Sequence, residues 1–109
     1  MNNILSILDS VIFESPDEIA KKITQDFRAR RIEKNLTREQ IALKSGVAVS
    51  NIVRFEQKGL ISLTNLICLA CCLEYSSEIK NIFDQPKYST MEELTQIRNN
   101  QGKKRAHRL

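Results

Sequence analysis

The sequence predicts an all-α fold, and three observations carry that prediction. Apolar residues recur at three- and four-residue spacing, as in Ile19, Ile23 and Phe27 and again in Leu63, Leu66, Leu69 and Leu73. Helix-capping residues stand before the periodic runs: Ser15 ahead of Pro16, Thr37 with Gln40, Ser62, and Thr90 with Glu93. Between Leu36 and Gly59, the apolar residues Leu36, Ile41, Ala42, Val47, Ile52 and Phe55 fall on two short helical patterns with Gly46 in the break. That last arrangement is a helix-turn-helix layout. The expected organisation is an N-terminal apolar helical arm over 1–14, a five-helix domain over 15–84, and a short C-terminal helix with a basic tail over 85–109.

A chain of 109 residues supports one small domain with end extensions. The net charge of +4 is unevenly spread: residues 1–20 carry four acids and no base, and residues 21–58 carry ten bases against four acids. Residues 59–98 hold three bases against five acids, and residues 99–109 four bases and no acid. Positive charge therefore coincides with the paired short helices and with the tail, where contacts to a polyanion would be wanted. A run of charge is also what a solvated face looks like.

No segment reaches the length of a membrane span, and Met1–Phe13 lacks the basic start and small-residue cleavage site of a signal peptide, so a cytoplasmic location is expected. The cysteines Cys68, Cys71 and Cys72 form an odd set on one helix, which argues against a disulfide framework.

Taken in order, Ile4, Leu5, Ile7, Leu8, Val11 and Ile12 make the opening segment an amphipathic helix. Packing on the domain, pairing with a second subunit and docking on a partner protein all remain open for it. Ser15 then caps a helix that Pro16, Asp17 and Glu18 suit to its first turn, running to about Lys34. Ile19, Ile23, Phe27 and Ile32 are expected on its inner stripe, and Lys21, Lys22, Arg28, Arg30, Arg31 and Lys34 outside. Thr37 and Gln40 form a capping box for a helix to about Lys44, and Gly46 supplies the positive φ of the turn. The next helix, about Ala48 to Lys58, buries Ile52 and Phe55 and leaves Val49, Ser50, Asn51 and Arg54 outward.

A fourth helix is expected from Leu63 to Glu74 with Leu63, Leu66, Leu69, Ala70 and Leu73 inward, and a fifth from Ser77 to Phe83 with Ile79, Ile82 and Phe83 closing the core. Thr90 and Glu93 start a last short helix with Met91, Leu94 and Ile97 on one side, before a polar, basic terminus expected to be disordered. The three cysteines read as small apolar packing, because zinc needs four well-placed donors, no second ligand pair exists, and His107 lies far off in the tail. Neither a metal nor a cofactor is expected. With one histidine, no glycine-rich phosphate loop, and no nucleophile beside a base, the chain does not read as an enzyme.

The run Leu36, Thr37, Ile41, Ala42, Gly46, Val47, Ile52, Glu56 and Gly59, followed by LxxLAxxL from Leu66 to Leu73, resembles the Cro and phage-repressor type of helix-turn-helix, the XRE-like DNA-binding domains. The resemblance implies a phage-repressor-like fold and double-stranded operator DNA as partner. It places Thr37, Arg38, Val49, Ser50, Asn51, Arg54 and Lys58 among the DNA-binding residues. Arg38 stands where such proteins often have a Gln that donates to a phosphate. Val49, Ser50 and Arg54 stand where recognition helices meet base edges, and Asn51 serves base or phosphate. Arg54 is the sharpest of these, since a guanidinium can bond O6 and N7 of guanine together. Glu56 reads instead as an intradomain acceptor for Arg or backbone groups. A homodimer is implied, because half-sites one turn apart require two recognition helices.

Two residues depart from the pattern. Ala48 replaces the usual Ser or Thr cap, and Val49 is apolar where a Gln is common, which suits a thymine methyl or fewer direct base contacts. Further along, RFEQKGLISLTNLICLACCLEY, PKYSTMEEL and the basic terminus are similar to small HipB-type regulators that accompany HipA-like kinase toxins. That similarity implies an antitoxin of a type II toxin-antitoxin operon that represses its own transcription and holds a toxin or toxin-associated subunit. The alternatives are a phage or mobile-element repressor without a toxin, and a protein-docking module with degenerate DNA binding.

Overall fold

Residues 14–103 are described in the computed structural model. The apolar arm expected before Glu14, the last basic residues of the tail and His107 lie outside them. Among the described residues every regular element is an α-helix, so the expected fold class holds.

Helix α1 (Pro16–Glu33) begins where the sequence places it: Ser15 Oγ accepts from the Glu18 N–H at 3.1 Å, and Pro16 occupies the first turn. Its buried stripe is Thr24, Phe27 and Arg31, so Phe27 lies inward as expected while Thr24 and Arg31 take the place of the isoleucines. Ile19, Ile23 and Ile32 stay about half exposed, at 46%, 47% and 52%. The helix packs on the next-but-one helix through a close approach, in which a Cβ on Gly59 would lie 3.3 Å from that of Ala20. That contact turns the line Ala20, Thr24, Phe27, Arg31 inward and sets the isoleucines on its flanks. Thr24 tolerates burial because its Oγ1 donates to the Lys21 carbonyl at 2.8 Å.

Helix α2 (Arg38–Ser45) opens on the expected capping box, with Thr37 Oγ1 accepting from the Gln40 N–H at 3.0 Å and Gln40 Oε1 accepting from the Thr37 N–H at 2.8 Å. Gly46, at φ 78°, closes it through an N–H donated to the Ala42 carbonyl. Helix α3 (Val49–Lys58) follows after an extended Ala48 that offers no side-chain cap, and ends at Gly59 with φ 70°. Helix α4 (Leu63–Cys72) is capped by Ser62 Oγ, which accepts from the Asn65 N–H at 3.1 Å. It stops two residues short of the expected Glu74, which takes φ 71° and turns the chain away.

The core is Phe27, Ile41, Val47, Ile52, Phe55, Leu69 and Leu73, with Leu36, Ala42, Ile61, Leu66, Cys68 and Cys72 packed around it. The rings of Phe27 and Phe55 meet edge to face with centroids 5.3 Å apart. Helix α1 packs on α3, and α2 on both α3 and α4. Leu63, expected in the core, is 69% exposed, because it stands at the rim beyond the half-buried Leu66. Cys68 and Cys72 serve as small packing groups, while Cys71 is exposed. Two residues past Leu69 is about 200° round a helix, which carries Cys71 to the opposite side.

The chain divides into two compact units between Ser76 and Ser77. Helix α5 (Ser76–Lys80) has five residues, in place of the expected Ser77–Phe83. Ile82 and Phe83 are 67% and 92% exposed and belong to no core cluster. Their spacing from Ile79 would align them only on a continuing helix, and the chain leaves helical geometry after Lys80. Helix α6 (Met91–Gln101) is capped by Thr90 Oγ1 as expected, but Glu93 reaches back to the N–H and Oγ of Ser89. It takes in Asn99 to Gln101, which the sequence had placed in a disordered terminus. No described helix is long and apolar enough to cross a membrane.

Candidate nucleic-acid interface

Helix α3 is divided lengthwise by its own periodicity. Ile52 and Phe55 point into the core at 0% and 3% exposure, while Ser50, Asn51, Arg54 and Lys58 are exposed on the other side. Residues 50, 54 and 58 stand one turn apart in succession, so the outer face is a single line of polar and cationic groups. Val49 departs from the expected outward placement: it is half-buried at the first turn. It lines an apolar cleft with Glu39, Ala42, Leu43, Gly46, Val47 and Ala48. Arg54 and Asn51 line a separate shallow groove with Leu60, Ile61, Ser62 and Asn65. The sequence reading missed Asn65, whose only signal is its place three residues after the Ser62 cap.

The remaining candidates sit at the start of α2. Thr37 is exposed and spends its oxygen lone pair on the Gln40 amide, which leaves the hydroxyl proton available to an acceptor. Arg38 is tied to Glu56, Nε to Oε1 at 3.0 Å and Nη2 to Oε1 at 2.9 Å, with its side chain 34% exposed. The carboxylate of Glu56, 2% exposed, also receives Arg31, Nε to Oε2 at 2.8 Å and Nη2 to Oε1 at 3.2 Å. Glu56 is therefore the intradomain acceptor that the sequence predicts. Arg31 corrects an expectation, because it lies inside, where its Nη1 also donates to the Leu36 carbonyl at 2.9 Å.

Ion pairing sorts the basic charge of residues 21–58. Lys22 pairs with Asp26, Arg30 with Glu33, Lys34 with Glu74, and Arg31 and Arg38 with Glu56. The Glu33 carboxylate, through its hydrogen bond and its charge, holds Arg30 above the usual guanidinium range, and the nearby Tyr75 oxygen acts in the same direction. Among the described residues, Lys21, Arg28, Lys44, Arg54 and Lys58 enter no ion pair. Two of these stand on the outer line of α3. With Glu56 committed elsewhere, Arg54 has no such partner on its own helix, so its guanidinium presents an unneutralised planar fork to solvent.

Neither the curated proteins nor the solved structures gave a significant match to this chain. The family model described as Helix-turn-helix matches residues 27–79, from the middle of α1 to the end of α5. The match leaves out the first turns of α1 and all of α6, and it spans just under half of the chain. Residues 27–79 are similar to that family, and their α2–turn–α3 arrangement is the layout it describes.

Proposed function

We propose that this protein is a sequence-specific DNA-binding transcriptional repressor, which reads operator DNA as a homodimer with α3 in the major groove. The observation that carries the reading is the outer line of α3, where Ser50, Asn51, Arg54 and Lys58 are exposed and both cations lack an ion-pair partner among the described residues. Arg54 reads a guanine edge, Ser50 and Asn51 meet neighbouring bases or phosphate, and Thr37, Arg38 and Lys58 hold the phosphate backbone. Val49, sunk beside Val47, contributes at most an apolar edge for a thymine methyl. The likeness of Arg54 to Tyr75 and Pro86 to Leu94 to HipB-type regulators supports a finer reading, the autoregulating antitoxin of a type II toxin-antitoxin operon with a HipA-like kinase as partner. A repressor without a toxin shares the same DNA chemistry.

The test is fluorescence anisotropy of the protein against DNA from upstream of its own gene, in a salt series, beside Arg54→Ala. Steep salt dependence with a sequence preference that Arg54→Ala weakens by about 1 to 3 kcal/mol supports the repressor. Retention of the neighbouring gene product on the tagged protein then decides the antitoxin reading.

A second reading has one observation in its favour. The cleft at the turn carries Leu43 at 87% exposure beside Val47 and Val49, an apolar surface that suits a protein dock. Binding that is absent or insensitive to salt, with Arg54→Ala indistinguishable, selects that reading.

A further inference from the structure

The second arginine on Glu56 is the feature that the fold does not account for. Arg31 already satisfies the carboxylate from the buried side, meeting both of its oxygens, and spends its remaining nitrogen on the Leu36 carbonyl. With side chains 9% and 2% exposed, Arg31 and Glu56 form a complete internal pair. Arg38 adds a second guanidinium to the same carboxylate, so the cluster holds two positive charges against one negative. The surplus charge emerges at Arg38, the member with a side chain 34% exposed.

The geometry specifies how it emerges. Arg38 meets Glu56 along one edge of its plane, through Nε and Nη2. Nη1, at the remaining corner, bonds no protein acceptor among the described residues. Arg38 is also the first residue of α2, beside the free hydroxyl proton of Thr37. From these observations we infer that Glu56 is a positioning residue for DNA: its buried carboxylate locks the Arg38 fork along one edge so that Nη1 is held ready for a backbone phosphate. The inference rests on the DNA-binding reading and deepens it. A long side chain that is fixed before binding loses little rotamer freedom when the phosphate arrives, and a planar fork can serve an internal carboxylate and an external anion at once.

The experiment is anisotropy of the full chain against two duplexes, the upstream DNA and a scrambled sequence of the same length, over a salt series. The variants are Arg38→Gln, Arg38→Lys, Glu56→Gln and Arg38→Gln with Glu56→Gln, each checked for folding by circular dichroism. Arg38→Gln is expected to weaken both duplexes alike, by about tenfold, and to lower the slope of log K against log salt by about one. Arg38→Lys keeps the charge without the planar fork and is expected to lie nearer Arg38→Gln than wild type. In the Glu56→Gln background, adding Arg38→Gln is expected to cost less than about threefold, because the fork is already unheld.

Equal costs of Arg38→Gln in both backgrounds overturn the inference, and so does tighter binding by Glu56→Gln, which would make Glu56 a competitor for Arg38. If Glu56→Gln fails to fold, Arg38→Lys decides, and wild-type behaviour of that variant overturns it. Steep wild-type salt dependence with every Arg38 variant indistinguishable removes this inference alone. Loss of salt-dependent binding by the wild type on both duplexes removes the DNA reading and this inference with it.

Discussion

Arg31 and Glu56, 25 residues apart in sequence, meet at 2.8 Å with side chains 9% and 2% exposed, and so tie the last turn of α1 to α3. Loss of Arg31 leaves Arg38 as the cation on Glu56 but takes the donor at 2.8 Å from the buried Oε2 and the Nη1 donor from the Leu36 carbonyl. Arg31→Met is expected to cost about 3 kcal/mol, whereas Arg38→Met, from the exposed side of the same carboxylate, is expected to cost about 1 kcal/mol. Urea unfolding at matched m-values ranks the two. Equal losses would mean that Arg31 is not the tie.

The N-terminus of α3 is uncapped, and Ala48 already has the extended backbone of a capping residue, at φ −61° and ψ 142°. A hydroxyl there needs no rearrangement to accept a first-turn amide. Ala48→Ser is therefore expected to stabilise the domain by about 1 kcal/mol, seen as a higher Tm. An unchanged Tm would count against it.

Both helix-ending glycines of the domain have left-handed backbones, but only one is crowded. A Cβ at Gly46 meets nothing within 4 Å, while one at Gly59 comes 3.3 Å from the Cβ of Ala20. Gly46→Ala is expected to cost about 1 kcal/mol from backbone strain alone. Gly59→Ala is expected to cost about 2 kcal/mol or more, since α1 must also shift away from α3. Thermal unfolding of the pair checks the order.

The apolar residues divide between those that hold the domain and those that do not. Ile52 is fully buried, and Phe83 is 92% exposed. Ile52→Ala is expected to cost about 3 kcal/mol, and Phe83→Ala less than about 0.5 kcal/mol. The same urea titration measures both, and a large loss at Phe83 would contradict its exposure.

Where local chemistry decides a feature, the sequence showed it. The Thr37–Gln40 box, the turn at Gly46, the bare Ala48 and the inward Ile52 and Phe55 all follow from residues within one or two turns of each other. Arg31 was hidden because it sits in a run of bases with Arg28 and Arg30, and its partner lies on another helix. The α1 stripe was misread by one position, since Ile19 and Ile23 are more apolar than Ala20 and Thr24. The rotation is fixed by contacts with α3: the close approach of Ala20 to Gly59, the Phe27–Phe55 pair and the Arg31–Glu56 ion pair. Ile82 and Phe83 looked like core because hydrophobicity marks what could be buried, without supplying anything to bury it against. Of the candidate interface, the residue types and the outer line of α3 were legible. The commitment of Arg38 to Glu56 and the sinking of Val49 were not, because both depend on a neighbouring helix.

The lengthwise division of α3 bears on how such a protein changes over generations. Its rotation is fixed by Ile52, Phe55 and Glu56, which face the interior or its ion pairs, while Ser50, Asn51, Arg54 and Lys58 touch little of the fold. Substitutions at those four positions alter the surface offered to a partner at small expense in folding. On the proposed DNA-binding reading, preference for a target can thus drift along one side of a ten-residue helix while inheritance of the fold is kept by the other.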